Sequence, residues 1–203
     1  SEMCIRDRSR EHPHESLIEQ VLAYLNPDSS QTVIVPHIVT RLDRNTQGIV
    51  LFSKHGHFHH RMSDVKMEKI YQCICFGLLS GEGDIIAPIA RKSDSIIERQ
   101  VNETGKYAKT SYQTLSASDR FTLNRVQLHT GRTHQIRVHF QYIDHPLVGD
   151  SLYGGTHPSI QGQALVCTDL KFIHPVTHKS VVLKDSVRQK ALEDLFQQLC
   201  RES

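Results

Sequence analysis

What most constrains this chain is a pair of β-prone runs, Tyr107 to Leu115 and Phe121 to Leu128, separated by the polar stretch Ser116-Ala117-Ser118-Asp119-Arg120. Two such runs joined by a short polar linker read as a hairpin, and a hairpin commits the middle of the chain to antiparallel sheet. A third run, Lys69 to Leu79, sets Ile70, Gln72, Ile74 and Phe76 against Tyr71, Cys73, Cys75 and Gly77, the period of two expected of a strand. Leu165 to Phe172 and Ser180 to Leu183 read as strands, and Gln31 to Val35 and Ile96 to Val101 as shorter ones. Gly48-Ile49-Val50-Leu51-Phe52-Ser53 is nearly all apolar and predicts a strand buried on both faces. Gly81-Glu82-Gly83-Asp84 reads as a turn.

Helical spacing appears four times. Leu17, Ile18, Val21, Leu22 and Leu25 form one stripe that starts after Ser16 and stops at Asn26-Pro27-Asp28. His57 to Ser63 reads as a second helix. After Gly131, Thr133 predicts the cap of a third, with Ile136, Phe140 and Ile143 on one face and His134 and Arg137 on a neighbouring one. Ser186 opens a closing helix that turns Leu192, Leu195, Phe196 and Leu199 inward. No repeat or low-complexity linker divides the chain. The expected fold is one α+β domain over 16–203, a mixed, mainly antiparallel sheet with flanking helices. Residues 1–15 are expected to stand outside it as a disordered or artefactual N-terminus. The first eight resemble a translated sequencing adapter, which predicts natural sequence further upstream.

A chain of 203 residues is long enough to bury about 70% of its unfolded surface without disulfide staples. No run approaches the roughly 18 apolar residues of a membrane helix. The net charge is only +2, but the basic residues crowd into the middle of the chain. Five scattered cysteines, with no C-x-x-C pair and no apolar leader, predict a reducing, cytoplasmic setting. Cys73 and Cys75 then read as small buried hydrophobes. His55, His57, His59 and His60 lack a second pair of ligands at zinc-site spacing, so no metal is predicted.

The candidate chemistry starts at Thr40-Arg41-Leu42-Asp43-Arg44-Asn45-Thr46-Gln47-Gly48. A carboxylate flanked by Arg41 and Arg44 stays ionised even when buried, which suits Asp43 as a nucleophile or base. The competing reading is a polar turn with solvated charges. Tyr71 on its strand, with Arg132 and Arg137 around the third helix, completes the candidate set.

This stretch, running on into Ile49-Val50-Leu51, resembles the signature of the RluA-type pseudouridine synthases, His-Arg-Leu-Asp-Arg-x-Thr-x-Gly followed by an apolar run. Gly131 to His139 and His145 to Gly154 resemble the family's second long signature. Lys69-Ile70-Tyr71 falls where the family has Lys-x-Tyr, and Ala108-x-Thr110-x-Tyr112 matches a strand pattern it shares. Several ordered motifs at family-like spacing are far more specific than any one of them. The resemblance implies a cofactor-free isomerase, monomeric, acting on an accessible uridine in ribosomal or transfer RNA. It implies that Asp43 is the essential carboxylate, that Tyr71 stacks on the target base, and that Arg137, rather than Arg132, pairs with Asp43. Arg41 and Leu42 would lie beside the base, Arg44 and Thr46 would shape the catalytic loop, and Arg132 would contact substrate.

The residues suit that chemistry. Breaking the N1–C1′ bond of uridine, turning the base and joining C5 to C1′ neither gains nor loses atoms, so no redox cofactor is required. A carboxylate near an electron-poor sugar carbon is required, as in glycoside chemistry. A flat aromatic face can hold a base while it turns. The chain departs from the pattern at Thr40, Asn45 and Gln47, and nothing before Ser16 resembles the family's Lys-Pro-x-Gly segment, which predicts a missing upstream strand. The alternative reading is a non-catalytic RNA-binding module that keeps the same cleft.

Overall fold

The computed structural model describes residues 16–27 and 33–202. They group into two compact units. One holds the chain up to Arg44, Val50–Lys66 and Phe172–Val181; the other holds Asn45–Ile49, Met67–Lys171 and the chain from Val182 onward.

The first unit carries helix α1, Leu17–Leu25, whose start is fixed locally. The Ser16 hydroxyl accepts the Glu19 N–H while the Glu19 carboxylate accepts the Ser16 N–H, the reciprocal capping box. Strands β1, His37–Ile38, and β3, Phe52–Ser53, pair antiparallel beside helix α2, Gly56–Ser63. His59 of α2 bonds the Ile38 carbonyl at 3.0 Å, which gives one member of the histidine cluster a packing role.

The second unit is built on a sheet ordered β11 (Ser180–Lys184, of which it holds the part from Val182), β10 (Leu165–Ile173, of which it holds the part up to Lys171), β4 (Glu68–Phe76), β9 (Phe121–Leu128), β8 (Lys109–Ala117), β5 (Glu82–Ile86). The expected hairpin is β8–β9, and β4–β9 adds eight antiparallel pairs from Lys69↔Leu128 to Phe76↔Phe121. Strand β2, Gln47–Gly48, joins the sheet by running parallel to β10. Helix α4, Ser186–Arg201, covers one face with Leu192, Phe196 and Leu199, which pack on Ile74, Leu123 and Val166. Full burial of side chains of this size stabilises by roughly 1.5–3 kcal/mol each. Elsewhere in this unit, helix α3, Gln135–Tyr142, packs Val138 against Ile89, Ala108 and Tyr153. The short strands β6, Ile89–Arg91, and β7, Arg99–Val101, form a separate antiparallel ribbon.

Four sequence expectations meet a different outcome. The apolar run Gly48 to Ser53 is not one strand: Gly48 has φ +112 and ends β2, and the Leu51 N–H donates to the Thr40 hydroxyl at 2.8 Å instead of a strand ladder. Glu82 to Asp84 belong to β5 because tertiary pairing overrides glycine's turn preference; Gly83 lies opposite Tyr112, whose hydroxyl would stand 2.9 Å from an added Cβ. Thr133 does not cap α3. His134 takes that place in a left-handed conformation, and Gln135 reaches back to accept the Arg132 N–H at 3.0 Å. Residues 33–35 are irregular, and the start of that expected strand lies outside the described residues.

Candidate active site

Of the residues singled out from the sequence, Arg41, Leu42, Asp43 and Arg44 belong to the first unit; Thr46, Tyr71, Arg132 and Arg137 belong to the second. Arg41 and Arg44 are exposed, and Leu42 and Asp43 are half-buried. Thr40, one of the three positions that depart from the family signature, is buried and ties the loop base to Leu51 through both its hydroxyl and its backbone N–H. A hydroxyl acceptor at this place does a structural job.

In the second unit the rest of the motif is fixed on the sheet. Asn45 adopts φ +66, and an added Cβ on Gly162 would come within 2.7 Å of it. The Thr46 hydroxyl accepts from the Gln163 amide at 2.8 Å. Gly48 stands beside Cys167 in the parallel pairing, and Cys167 stands beside Tyr71 in the antiparallel one. Gly48, Cys167 and Tyr71 therefore form one row across three strands. The row tolerates no side chain at its first member, since a Cβ there would meet the Cys167 carbonyl oxygen at 2.2 Å. Burial pushes the Cys167 thiol up to about 11, so it stays protonated and unreactive beside the tyrosine.

Arg137 is buried on α3 and held on two sides. Its Nε and one terminal nitrogen donate to the two carboxylate oxygens of Asp150 at 2.7 and 2.8 Å, and its guanidinium carbon lies 4.9 Å from the centre of the Tyr153 ring. Tyr153 accepts the Arg99 N–H at 2.9 Å, and its hydroxyl shares a hydrogen bond with His134 Nδ1 at 2.8 Å. His134 is neutral there: burial first, then the nearby Arg137 and Arg99 charges, lower its pKa to about 3. A second chain locks the other side of α3. Gln135 donates to the Thr110 hydroxyl, Thr110 donates to His139 Nδ1, and His139 Nε2 donates to the Ala87 carbonyl. The Arg137 guanidinium is thereby held in one orientation by the protein itself.

Arg132 lies where α3 begins, its Nε bonded to the Tyr107 carbonyl at 3.0 Å. It lines a groove of about 420 Å³ together with Arg91, Arg99 and Lys106 from the β6–β7 ribbon and its approach. Among the described residues no carboxylate lines this groove. Asp150, Tyr153, His134 and Gln163 are positioning residues that the sequence alone did not single out. The signal for the first three was present, since Asp150 and Tyr153 fall in the His145 to Gly154 motif and His134 in the Gly131 to His139 motif.

Residues 11–142 match the family described as RNA pseudouridylate synthase. A Bacillus subtilis protein, "Uncharacterized RNA pseudouridine synthase YjbO", is 42% identical over 178 residues, covering 85% of this chain and 62% of its own length. "Ribosomal large subunit pseudouridine synthase D" of Pseudomonas aeruginosa is 37% identical over 147 residues, covering 70% and 46%. The solved structure titled "Human RNA Pseudouridylate Synthase Domain Containing 1" superposes with a TM-score of 0.65 at 23% identity, over 81% of this chain and 71% of that one, a likeness of fold. The chain thus spans about three-fifths of that Bacillus subtilis protein and under half of the Pseudomonas aeruginosa one.

Proposed function

The chain belongs to the RNA pseudouridylate synthase family, and on that premise we propose that it isomerises uridine to pseudouridine in a structured RNA, with Asp43 as the essential carboxylate. Ribosomal RNA is the favoured substrate because two relatives named as ribosomal large subunit pseudouridine synthase D are 37% and 38% identical to this chain; transfer RNA is the other candidate. The reading includes a monomer working in the cytoplasm. Among the described residues no helix is long and apolar enough to cross a membrane.

The observation that carries the proposal is the row Gly48, Cys167, Tyr71. It fixes the end of the aspartate signature and the aromatic of the Lys-x-Tyr motif on one rigid sheet, which is what a reaction needing fixed geometry demands. In the proposed mechanism the uridine leaves its stack, at a cost of a few kcal/mol that is least in loops and bulges. Asp43 acts at the sugar–base junction as the glycosidic bond breaks, the base turns against the Tyr71 ring, and C5 joins C1′ before losing its proton. Arg137 contributes a fixed positive charge, oriented by Asp150, and is the proposed partner of the Asp43 carboxylate. Arg41, Leu42, Arg44 and Thr46 shape the loop around the base. The groove of Arg91, Arg99, Lys106 and Arg132 receives RNA phosphates, supported by its four cations and its lack of acidic lining among the described residues.

Tritium release from RNA labelled at uridine C5 tests this directly. The wild-type chain should release label without added cofactor, and Asp43→Asn should not, while both bind RNA equally. Release no higher than the Asp43→Asn background across total cellular RNA, with binding intact, would favour a non-catalytic RNA-binding module instead.

A further inference from the structure

The groove that carries Arg91, Arg99, Lys106 and Arg132 has two walls. The β6–β7 ribbon and its approach through Lys106 form one; Gly131, Arg132 and Thr133, the turn into α3, form the other. Hydrogen bonds tie the walls together. Toward solvent, the Arg132 Nε donates at 3.0 Å to the carbonyl of Tyr107, which follows Lys106, and water competes for a bond so exposed. In the interior the tie is the Tyr153 hydroxyl. It accepts the Arg99 N–H of the ribbon at 2.9 Å and shares a hydrogen bond at 2.8 Å with Nδ1 of His134, which follows Thr133. Tyr153 and His134 are only 5% and 7% exposed, so a group left unpaired here has little water to turn to.

The ring of the same tyrosine has a separate contact. It packs with Ile89, Ala108 and Val138, and its centre lies 4.9 Å from the guanidinium carbon of Arg137, which Asp150 also holds. One aromatic side chain thus connects both groove walls to the arginine. All of these residues belong to the second unit. A shift of the ribbon against α3 would drag the ring across the guanidinium, so the distance from groove to Arg137 is a fixed property of the packing.

A strand whose phosphates sit in the groove then has its length measured for it, because phosphates recur at a regular spacing along the chain. We propose that Tyr153 is a positioning residue that keeps the phosphate groove in register with Arg137, so that single-stranded RNA lying along the groove presents one particular nucleotide to that guanidinium. The inference rests on the pseudouridine reading and adds to it a means of selecting the site, by counting along the backbone from the groove.

Tritium release from RNA labelled at uridine C5, read as kcat/KM, tests it with Tyr153→Phe, which keeps the ring and removes the hydroxyl. In the otherwise wild-type chain the substitution should lower kcat/KM about tenfold, the upper range for one buried hydrogen bond. In a chain that already carries Arg91→Gln and Lys106→Gln, where the groove no longer places the RNA, it should cost less than about threefold. A merely structural role predicts the same loss in both. Salt supplies a second readout: raising it from about 50 to about 200 mM weakens phosphate contacts, so the gap between wild type and Tyr153→Phe should narrow. Melting temperature establishes that each variant is folded. His134→Phe, which removes the other end of the tie and leaves the tyrosine in place, should show the same dependence on groove and salt and add nothing to Tyr153→Phe. An active wild type whose loss on either substitution is equal in both backgrounds and constant in salt overturns the coupling and leaves the pseudouridine reading standing. A wild type that releases no label overturns both together.

Discussion

Gly48 and Cys167 approach so closely that a methyl group on the glycine would stand 2.2 Å from the cysteine's carbonyl oxygen and 2.6 Å from its nitrogen. The approach is backbone on backbone, so no rotamer change relieves it. The same glycine holds φ +112, a conformation costly for any other residue. Two independent reasons thus require glycine at the point where the aspartate signature joins the sheet.

Gly48→Ala should lower unfolding stability by about 2 kcal/mol or more, combining a left-handed penalty with displacement of β2 from β10. Urea denaturation measures the loss. Tritium release should fall further than stability alone explains, even at temperatures where the variant remains folded.

Asp150 and Arg137 form a buried pair with only 1% and 7% of their side chains exposed. Asp150→Ala removes the buried bidentate carboxylate from the guanidinium and should cost about 3–5 kcal/mol. Asp150→Leu combined with Arg137→Met should recover much of that stability while remaining inactive. A double-mutant cycle by denaturation, run beside the activity assay, separates the two effects.

Stability should fall in acid over a defined window. His134 has a folded-state pKa of about 3 against 6.5 in the unfolded chain, and His139 is lowered too, by burial. A depressed pKa means the unfolded state binds the proton first. Stability is full above pH 6.5 and is lost as pH falls from there toward 3, at up to about 1.4 kcal/mol per pH unit for His134. His134→Gln should flatten this slope, which is read from denaturation midpoints across that range.

Binding of single-stranded RNA should weaken with salt, and the slope should reveal the groove. Replacing Arg91 and Lys106 with glutamine should reduce the log–log salt slope by about 0.7 for each phosphate that is no longer neutralised. Asp43→Asn should leave the slope unchanged. Fluorescence anisotropy across a salt series measures both.

Much of the fold was legible because its signals are local. The stripe Leu17, Ile18, Val21, Leu22 and Leu25 announced α1, the alternation from Lys69 to Phe76 announced β4, and Leu192, Phe196 and Leu199 announced the buried face of α4. The apolar run after Gly48 misled, since hydrophobicity cannot show that Leu51 hands its N–H to a threonine hydroxyl rather than to a neighbouring strand. The cap of α3 misled in the same way: Thr133 has the right chemistry, but a glutamine inside the helix already satisfies Arg132. For the candidate site, the ordered motifs drew attention to Thr46, Tyr71 and Arg137. They said nothing of Gln163, Asp150 or Tyr153 as the groups that hold Thr46 and Arg137, because those interactions join residues that no local pattern links.

The eight-pair ladder between β4 and β9 sets which wall each β4 side chain reaches. A one-residue slip would turn Tyr71 toward α4 and bring its glutamine neighbour to the opposite wall. A single inserted or deleted residue within Glu68 to Gln72 is therefore an inversion rather than a small perturbation. Inside the strand, the lengths of this chain's descendants must change in steps of two or not at all.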